Sequence, residues 1–259
     1  MLLIAILMGT IAAGVGSVWV AAVLSFGVLA RYTQHMLSLA AGALLATAFL
    51  HLLPEAFESQ VSAHDLFLTL LAGLVFFFLL DKAELWHHGH EHHHDHDHDH
   101  DHDHPAPEAR AGGWAVLAGD SVHAFGDGIL IASAFVADLR LGVIASLAVL
   151  AHEVPHHMGD LVVLRGGSRN RRAAVVKVSL AGAVTALGGV LGYFLVGQLE
   201  DSLPYFLAIA SSSFVYVALA DLIPQLQKRL GARDTAAQIA WLLVGIALVT
   251  AVGALAHAR

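Results

Sequence analysis

The chain has 259 residues, of which 57% are hydrophobic and only 13% are charged, and its mean hydropathy is +0.70. Soluble domains carry about 25% charged residues, so this composition predicts a membrane protein and argues against a soluble enzyme or a nucleic-acid-binding protein. The formal net charge is −8, but Glu91 and five aspartates of one internal loop account for most of it. Because there is no cysteine, any metal must be bound by His, Asp or Glu.

Hydrophobic segments long enough to cross a membrane follow one another along the whole chain. A span needs about 20 apolar residues. The first segment lacks a preceding basic region and continues past Leu24, so we interpret it as a span and not as a cleaved signal peptide. The fold class is therefore an all-α membrane protein in which residues 1–259 form one transmembrane domain. The eight predicted spans are 2–29, 37–57, 64–83, 114–137, 140–164, 174–197, 203–226 and 236–256.

The basic residues are distributed unequally between the two sides of this domain. Eleven of the 13 Lys and Arg residues fall on one side, and only Arg140 and Arg259 fall on the other. Cytoplasmic loops carry an excess of Lys and Arg. We therefore expect a multi-pass protein of the cell (inner) membrane with both termini outside and the longest loop in the cytoplasm.

That longest loop, residues 84–113 between spans 3 and 4, is dominated by histidine and aspartate. Such a tract cannot bury apolar surface, so we expect it to be disordered without a ligand. Because it lies between two spans, it is interpreted as an auxiliary metal-binding tract and not as an expression tag. Its histidines are His87, His88, His90, His92, His93, His94, His96, His98, His100, His102 and His104.

The fifth span contains the polar run HEVPHHMGD at 152–160, inside largely apolar sequence. Ionisable side chains within a span are costly unless they face a cavity or a partner. His152 and His156 are four residues apart, so they share one face of a helix. Two imidazoles in this arrangement are typical ligands of a transition-metal ion, although a pair of buried core histidines would give the same spacing.

The fourth span supplies a second pair with the same spacing, His123 and Asp127. A tight outside turn joins the two spans, so they should be antiparallel neighbours. At 1.5 Å per residue, Asp127 lies ~15 Å, His152 ~18 Å, His123 ~21 Å and His156 ~24 Å from the outer ends. We predict that these four side chains form a metal site near the bilayer centre, with Glu153 as an extra ligand or proton carrier.

Two further spans carry related motifs, HLLPE at 51–55 in span 2 and DLIPQ at 221–225 in span 7. These spans run in opposite directions, so spans 1–3 and 6–8 are predicted to form an inverted repeat around spans 4 and 5. That pattern is typical of secondary transporters, although proline near a helix end is common in membrane proteins. The candidate pathway residues are His51, Glu55, His157, Asp160 and Asp221.

The chain resembles the ZIP (ZRT/IRT-like) divalent metal transporter family, and in particular a bacterial member with an HExPH-type motif in span 5. The family motif HNxxxG of span 4 is similar to HAFGDG at 123–128, and HExPHExGD is similar to 152–160. The resemblance implies eight spans, outside termini and a homodimer in the lipid bilayer. It also implies inward transport of the metal; ligands of nitrogen and oxygen alone suit zinc best, with cadmium, iron or manganese as alternative cargo.

By the same resemblance, His123, Asp127, His152 and His156 match the main transport site, and Glu153 matches a position shared with a second metal site. Three positions depart from the family pattern: Ala124 replaces Asn, Thr185 replaces a Glu of span 6, and His157 replaces the second Glu of the span 5 motif. We therefore expect one metal site and not two. The resemblance also implies that spans 1, 4, 5 and 6 move against spans 2, 3, 7 and 8.

Two alternative functions fit parts of the sequence. The HExxH pattern at 152–156 matches zinc peptidases, in which Glu153 would activate a metal-bound water. Pro155 is expected to interrupt the helix that this motif requires, and His123 would close the open coordination position. A membrane metal sensor built on the His-rich loop is a third hypothesis, but it leaves the site in spans 4 and 5 without a purpose. We therefore expect a transporter and not an enzyme.

Overall fold

The computed structural model describes residues 1–25, 33–89, 108–167, 171–198, 200–226 and 231–257. Within these ranges the chain is almost entirely helical and contains no strand, which confirms the predicted all-α class. We group the helical segments into eight helices, three of which contain a π-helical segment.

In the first half, α1 comprises Leu2–Ile11, the π-helical segment Ala12–Gly16 and Ser17–Ser25; α2 comprises Thr33–Thr47, the π-helical segment Ala48–Leu52 and Leu53–Phe57; α3 is Ala63–Gly89; and α4 is Glu108–Ala137. In the second half, α5 is Leu139–Gly167; α6 comprises Arg171–Gly182 and Val184–Gln198; α7 comprises Leu203–Tyr216, the π-helical segment Val217–Leu222 and Ile223–Leu226; and α8 is Ala232–His257. A short 3₁₀ turn, Glu200–Ser202, precedes α7.

Six of these helices are long and apolar enough to cross a membrane: those containing Leu2–Leu24, Gln34–Phe57, Ala63–Leu80, Arg172–Val196, Leu203–Ala220 and Ala232–Ala254. The remaining two, α4 and α5, have 30 and 29 residues. At 1.5 Å per residue each exceeds the ~30 Å thickness of a hydrocarbon core. Among the side chains that the structure describes, the buried acidic residues all lie on these two helices.

The predicted loop 84–113 is shorter than the sequence suggests. The third helix continues to Gly89 and the fourth begins at Glu108, so both ends of that predicted loop are helical. No Gly or Pro interrupts the chain between Leu80 and His88, and Glu108 places an acidic residue at a helix N-terminus, where it is favourable. The predicted metal-binding tract from residue 90 to 104 lies outside the described residues.

The helices form two bundles, which we call the first bundle (α1, α4, α5 and α6) and the second bundle (α2, α3, α7 and α8). In the first bundle α4 packs on α5 and α6, and α1 packs on α5 and α6. In the second bundle α2 packs on α8, and α3 packs on α7. The bundles meet mainly where α2 contacts α5 and where α7 contacts α4.

Glycines set the closest helix contacts in both bundles. A Cβ added at Gly128 or at Gly188 would collide with the backbone of the facing helix. The lack of a side chain at these two glycines therefore lets α4 and α6 approach closely. Gly42 and Gly245 have the same reciprocal relation between α2 and α8. Small residues of this kind allow membrane helices to approach closely.

A one-residue turn at Asp138 makes α4 and α5 antiparallel neighbours, as the sequence predicts. Asp138 Oδ1 accepts the backbone N–H of Arg140 at 2.7 Å and caps the start of α5. The expectation that Pro155 interrupts α5 is wrong, because the helix is continuous from Leu139 to Gly167. Neighbouring helices can support a proline within a membrane helix, so a proline does not have to end it.

Candidate metal site

Buried ionisable side chains gather where α4 faces α5. His123, Asp127, His152 and Glu153 each place one donor atom within 4.8 Å of the other three. We call these four residues the first donor group. His152 Nε2 lies 3.2 Å from Glu153 Oε1 and 3.3 Å from Asp127 Oδ2. His123 Nε2 lies 3.4 Å from His152 Nε2, 3.5 Å from Glu153 Oε1 and 3.9 Å from Asp127 Oδ2.

These separations match the coordination shell of a small divalent cation. With metal–ligand bonds of 2.0–2.1 Å, the ligand atoms of a tetrahedral zinc site lie about 3.3 Å apart. The five distances given above range from 3.2 to 3.9 Å, so the donor atoms need only small movements to bind such an ion. Asp127, His152 and Glu153 are each 2% exposed, so water contributes little to stabilising their charges.

His152 is also oriented by a contact behind the site. Its Nδ1 atom lies 3.4 Å from the backbone oxygen of Ala148, one helical turn earlier. A histidine that ligates a metal commonly donates its other ring N–H to such a carbonyl, which leaves the opposite nitrogen free to coordinate. For His152 that opposite nitrogen is Nε2, the atom that faces Asp127 and Glu153.

His156 does not join the first donor group. Its ring stacks on His123, with centroids 5.8 Å apart, and its Nδ1 lies 3.6 Å from Asp160 Oδ2 and 3.8 Å from Asp120 Oδ1. These three residues, Asp120, His156 and Asp160, form the second donor group. His156 lies one turn after His152 on α5, and Asp120 lies about one turn before His123 on α4. Because the two helices are antiparallel, these two residues lie at the same level.

Asp120 is the residue that sequence reasoning missed. It is 4% exposed and contributes to the second donor group and to a further set with Glu153 and His157. A signal was present, because Asp120, His123 and Asp127 are spaced three and four residues apart and share one face of α4. Counting only pairs four residues apart left Asp120 out.

Four of the five predicted pathway residues have described side chains, and these four divide into two classes. His157 and Asp160 are buried within the polar cluster of α4 and α5. His51 packs against Gly253 of α8, and Glu55 is exposed near the end of α2. Asp221 lies in the π-helical segment of α7, but its side chain is outside the described set.

The arrangement does not support the peptidase hypothesis. An HExxH peptidase needs both histidines on one metal ion, with the glutamate free to activate water. Here Glu153 points its Oε1 into the donor group of His152, while His156 faces Asp120 and Asp160. The hypothesis fails because the two histidines belong to different donor groups.

Comparison with known proteins agrees with a metal-handling site in a helical membrane domain. A family model described as "ZIP Zinc transporter" matches residues 81–253, which is more than half of the chain and includes all of the donor residues. This chain belongs to the ZIP zinc transporter family. The predicted resemblance is therefore confirmed at the level of the family.

Several curated members of the ZIP family are similar to the chain. It is 36% identical over 136 residues to "Zinc transporter ZIP4" of Homo sapiens, which covers 52% of this chain and 20% of that protein. It is 28% identical over 239 residues to "Zinc transporter ZIP13" of Pongo abelii, covering 85% of this chain and 66% of the relative. "Zinc transporter foi" of Drosophila melanogaster is 34% identical over 113 residues, covering 44% of this chain and 16% of that protein. The chain thus spans only part of the length of these relatives.

Proposed function

We propose that this protein carries divalent metal cations, with zinc as the main cargo, across the cell membrane into the cytoplasm. The observation that carries the proposal is the first donor group, in which four side chains of two antiparallel helices have near-tetrahedral separations. Proteins that share the family and are named zinc transporters give it independent support.

Electrostatics explains why a cation would enter this buried site. The two carboxylates of the first donor group are almost fully buried, and such groups are stable only when paired or bound to a cation. Imidazole nitrogens and carboxylate oxygens replace the hydration shell of the ion. An inside-negative potential adds about 2.3 kcal/mol per charge per 100 mV in favour of inward movement.

The second donor group provides the next position along the route. It lies one turn away on α5 and is more open, because the His156 side chain is 39% exposed while that of His152 is 2% exposed. His156 stacks on His123, so one residue pair connects the two groups. An ion leaving the first donor group would meet new ligands before it reaches water.

Movement of the first bundle against the second would alternate access to these groups. The inverted repeat is supported by the π-helical segments of α2 and α7, each of which ends immediately before an apolar residue and a proline. It is also supported by the packing. An inverted repeat would make α2 equivalent to α7 and α8 equivalent to α3, and both the α2–α8 contact and the matching α7–α3 contact are present. Transporters with inverted repeats commonly bind their cargo near the midplane between the moving parts.

The proposed topology has all eight helices crossing the membrane, both termini outside and the His-rich loop in the cytoplasm. It rests on the six apolar helices, on the length of α4 and α5, and on the unequal distribution of Lys and Arg. We further propose a homodimer, as the family resemblance implies. Attaching a membrane-impermeant label to a cysteine introduced at either terminus of the cysteine-free chain tests the orientation.

Uptake by proteoliposomes that contain a zinc-sensitive dye tests the proposed function. The wild type should admit zinc, and His123→Ala should reduce the initial rate by about 100-fold or more, because loss of even an outer partner of a ligand costs 10–100-fold in affinity. His64→Ala is the matched control, since His64 is an exposed histidine with a side chain that is 85% accessible. Equal uptake by wild type and His123→Ala would exclude the first donor group as the transport site.

A further inference from the structure

His157 is a completely buried histidine that the proposed transport site does not use. Its Nε2 atom lies 3.1 Å from Glu153 Oε2 and 3.6 Å from Asp120 Oδ1. On the opposite side of the ring, Nδ1 lies 3.0 Å from the hydroxyl oxygen of Ser17 on α1. The ring is therefore held between a serine of one helix and two carboxylates.

The hydrogen bonds of Ser17 determine which ring nitrogen carries the proton. The single hydroxyl proton of Ser17 is donated to the backbone oxygen of Gly14, at 2.7 Å. Ser17 Oγ is then left as an acceptor, which favours the tautomer of His157 that carries its proton on Nδ1. In a neutral imidazole this leaves the lone pair of Nε2 directed at the carboxylates of Glu153 and Asp120.

In this tautomer three acceptors converge with no donor between them. Asp120 Oδ1, Glu153 Oε2 and His157 Nε2 are buried atoms without a hydrogen-bond partner among the described residues. Buried polar atoms in native proteins are nearly always satisfied, so this convergence points to an occupant that accepts electron pairs. A ligand histidine whose other ring N–H is donated to an outer partner is the usual arrangement at metal centres.

We propose that Asp120, Glu153 and His157 bind a second divalent metal ion, next to the transported one. The inference rests on the proposed function, because it adds a neighbour to the first donor group. Glu153 would bridge the two ions, with Oε1 on the first donor group and Oε2 on the new site. Donor distances of 3.1 and 3.6 Å bracket the ~3.3 Å edge of a tetrahedral zinc site.

This site differs from the second site that the family resemblance implies, whose ligands would stand at Ala124 and Thr185. The absence of those ligands leads to the expectation of one metal ion, but His157 and Asp120 supply other ligands on the side of the cluster that faces α1. One nitrogen and two carboxylates suit zinc and also the harder ions manganese and iron. The fourth position is open to water or to cargo.

Anomalous scattering from crystals of the full chain soaked in zinc tests the inference directly. We expect two peaks, one on each side of the Glu153 carboxylate, and in His157→Ala we expect the second peak to disappear while the first remains. A single peak at the first donor group in the wild type would overturn the inference and leave the proposed function intact. No peak at either place would overturn the site on which the proposed function rests.

Cobalt(II) binding to the full chain in detergent gives a second test that does not depend on His157→Ala folding. Two cobalt ions bridged by one carboxylate are magnetically coupled, whereas a single ion at the first donor group is not. Ser17→Ala removes only the hydroxyl that orients His157, so the coupled signal should need 10–100-fold more cobalt. His64→Ala should need the same concentration as the wild type. An unchanged requirement in Ser17→Ala, or no coupling in the wild type, would contradict the proposal.

Discussion

The two bundles are held together by the same device but bury different chemistry. Each uses reciprocal glycine contacts between a pair of long helices. In the second bundle the described buried polar side chains are hydroxyls, and most bond within their own helix, as Thr47 does to Ala43 O at 2.9 Å and Ser211 to Leu207 O at 2.8 Å. In the first bundle the buried set also includes six ionisable residues on two helices: Asp120, Asp127, His152, Glu153, His157 and Asp160.

This difference separates a self-sufficient scaffold from a region that depends on cations. A hydroxyl bonded to a carbonyl of its own helix needs no other partner. A buried carboxylate without donors does need one, and under the proposed function a metal ion would take that place. We therefore expect substitutions in the donor groups of the first bundle to change metal binding and transport, and substitutions in the packed interior of the second bundle to leave zinc binding unchanged.

The largest expected effect is the loss of transport when a ligand of the first bundle is removed. His152→Ala should lower the initial rate of zinc uptake by about 100-fold or more, because His152 contacts all three other members of the first donor group. The matched control is His35→Ala in the second bundle, where the His35 ring stacks on Trp241 at 5.9 Å. Comparable losses in both variants would show that the bundles do not differ in the way proposed.

The next effect is stabilisation by the metal itself. A ligand that binds only the folded state stabilises it by about 2.7 kcal/mol at a concentration 100 times Kd. Zinc should therefore raise the Tm of the wild type in detergent, and Asp127→Ala should abolish most of that increase. The second-bundle variant His35→Ala should keep the full shift. If Asp127→Ala retained it, the stabilising zinc would have to bind elsewhere, for example on the His-rich loop.

The outline of this architecture was readable from the sequence because apolar length is a strong signal, and every predicted span has a matching helix. The meeting of His123, Asp127 and His152 followed from their spacing and from the depth estimate across one tight turn. The partition of Glu153 and His156 between two donor groups could not be predicted, because it depends on the rotation of α5 about its axis. The π-helical segments leave no mark in hydrophobic periodicity, so they were missed as well.

Glycine substitutions should have intermediate effects, and they test what the two bundles share. Gly128→Ala places a methyl group against the backbone of α6 and should cost about 1–3 kcal/mol, seen as a lower Tm. Gly245→Ala should cost a similar amount in the second bundle, where the new methyl group meets the backbone of α2. Gly126→Ala is the control, because its Cβ meets nothing within 4 Å. A loss confined to one bundle would contradict a common packing device.

The smallest effect is expected for the hydroxyls of the second bundle. Thr47→Val exchanges a hydroxyl for a methyl group of similar shape, and the oxygen of Ala43 still accepts a backbone N–H of the helix. Zinc uptake should be unchanged, and the free energy of unfolding should move by no more than about 1 kcal/mol. Parallel measurements of uptake and Tm check both statements. A clear loss of uptake at normal Tm would mean that the second bundle contributes polar groups to the pathway, and it would remove the distinction between scaffold and metal-dependent region.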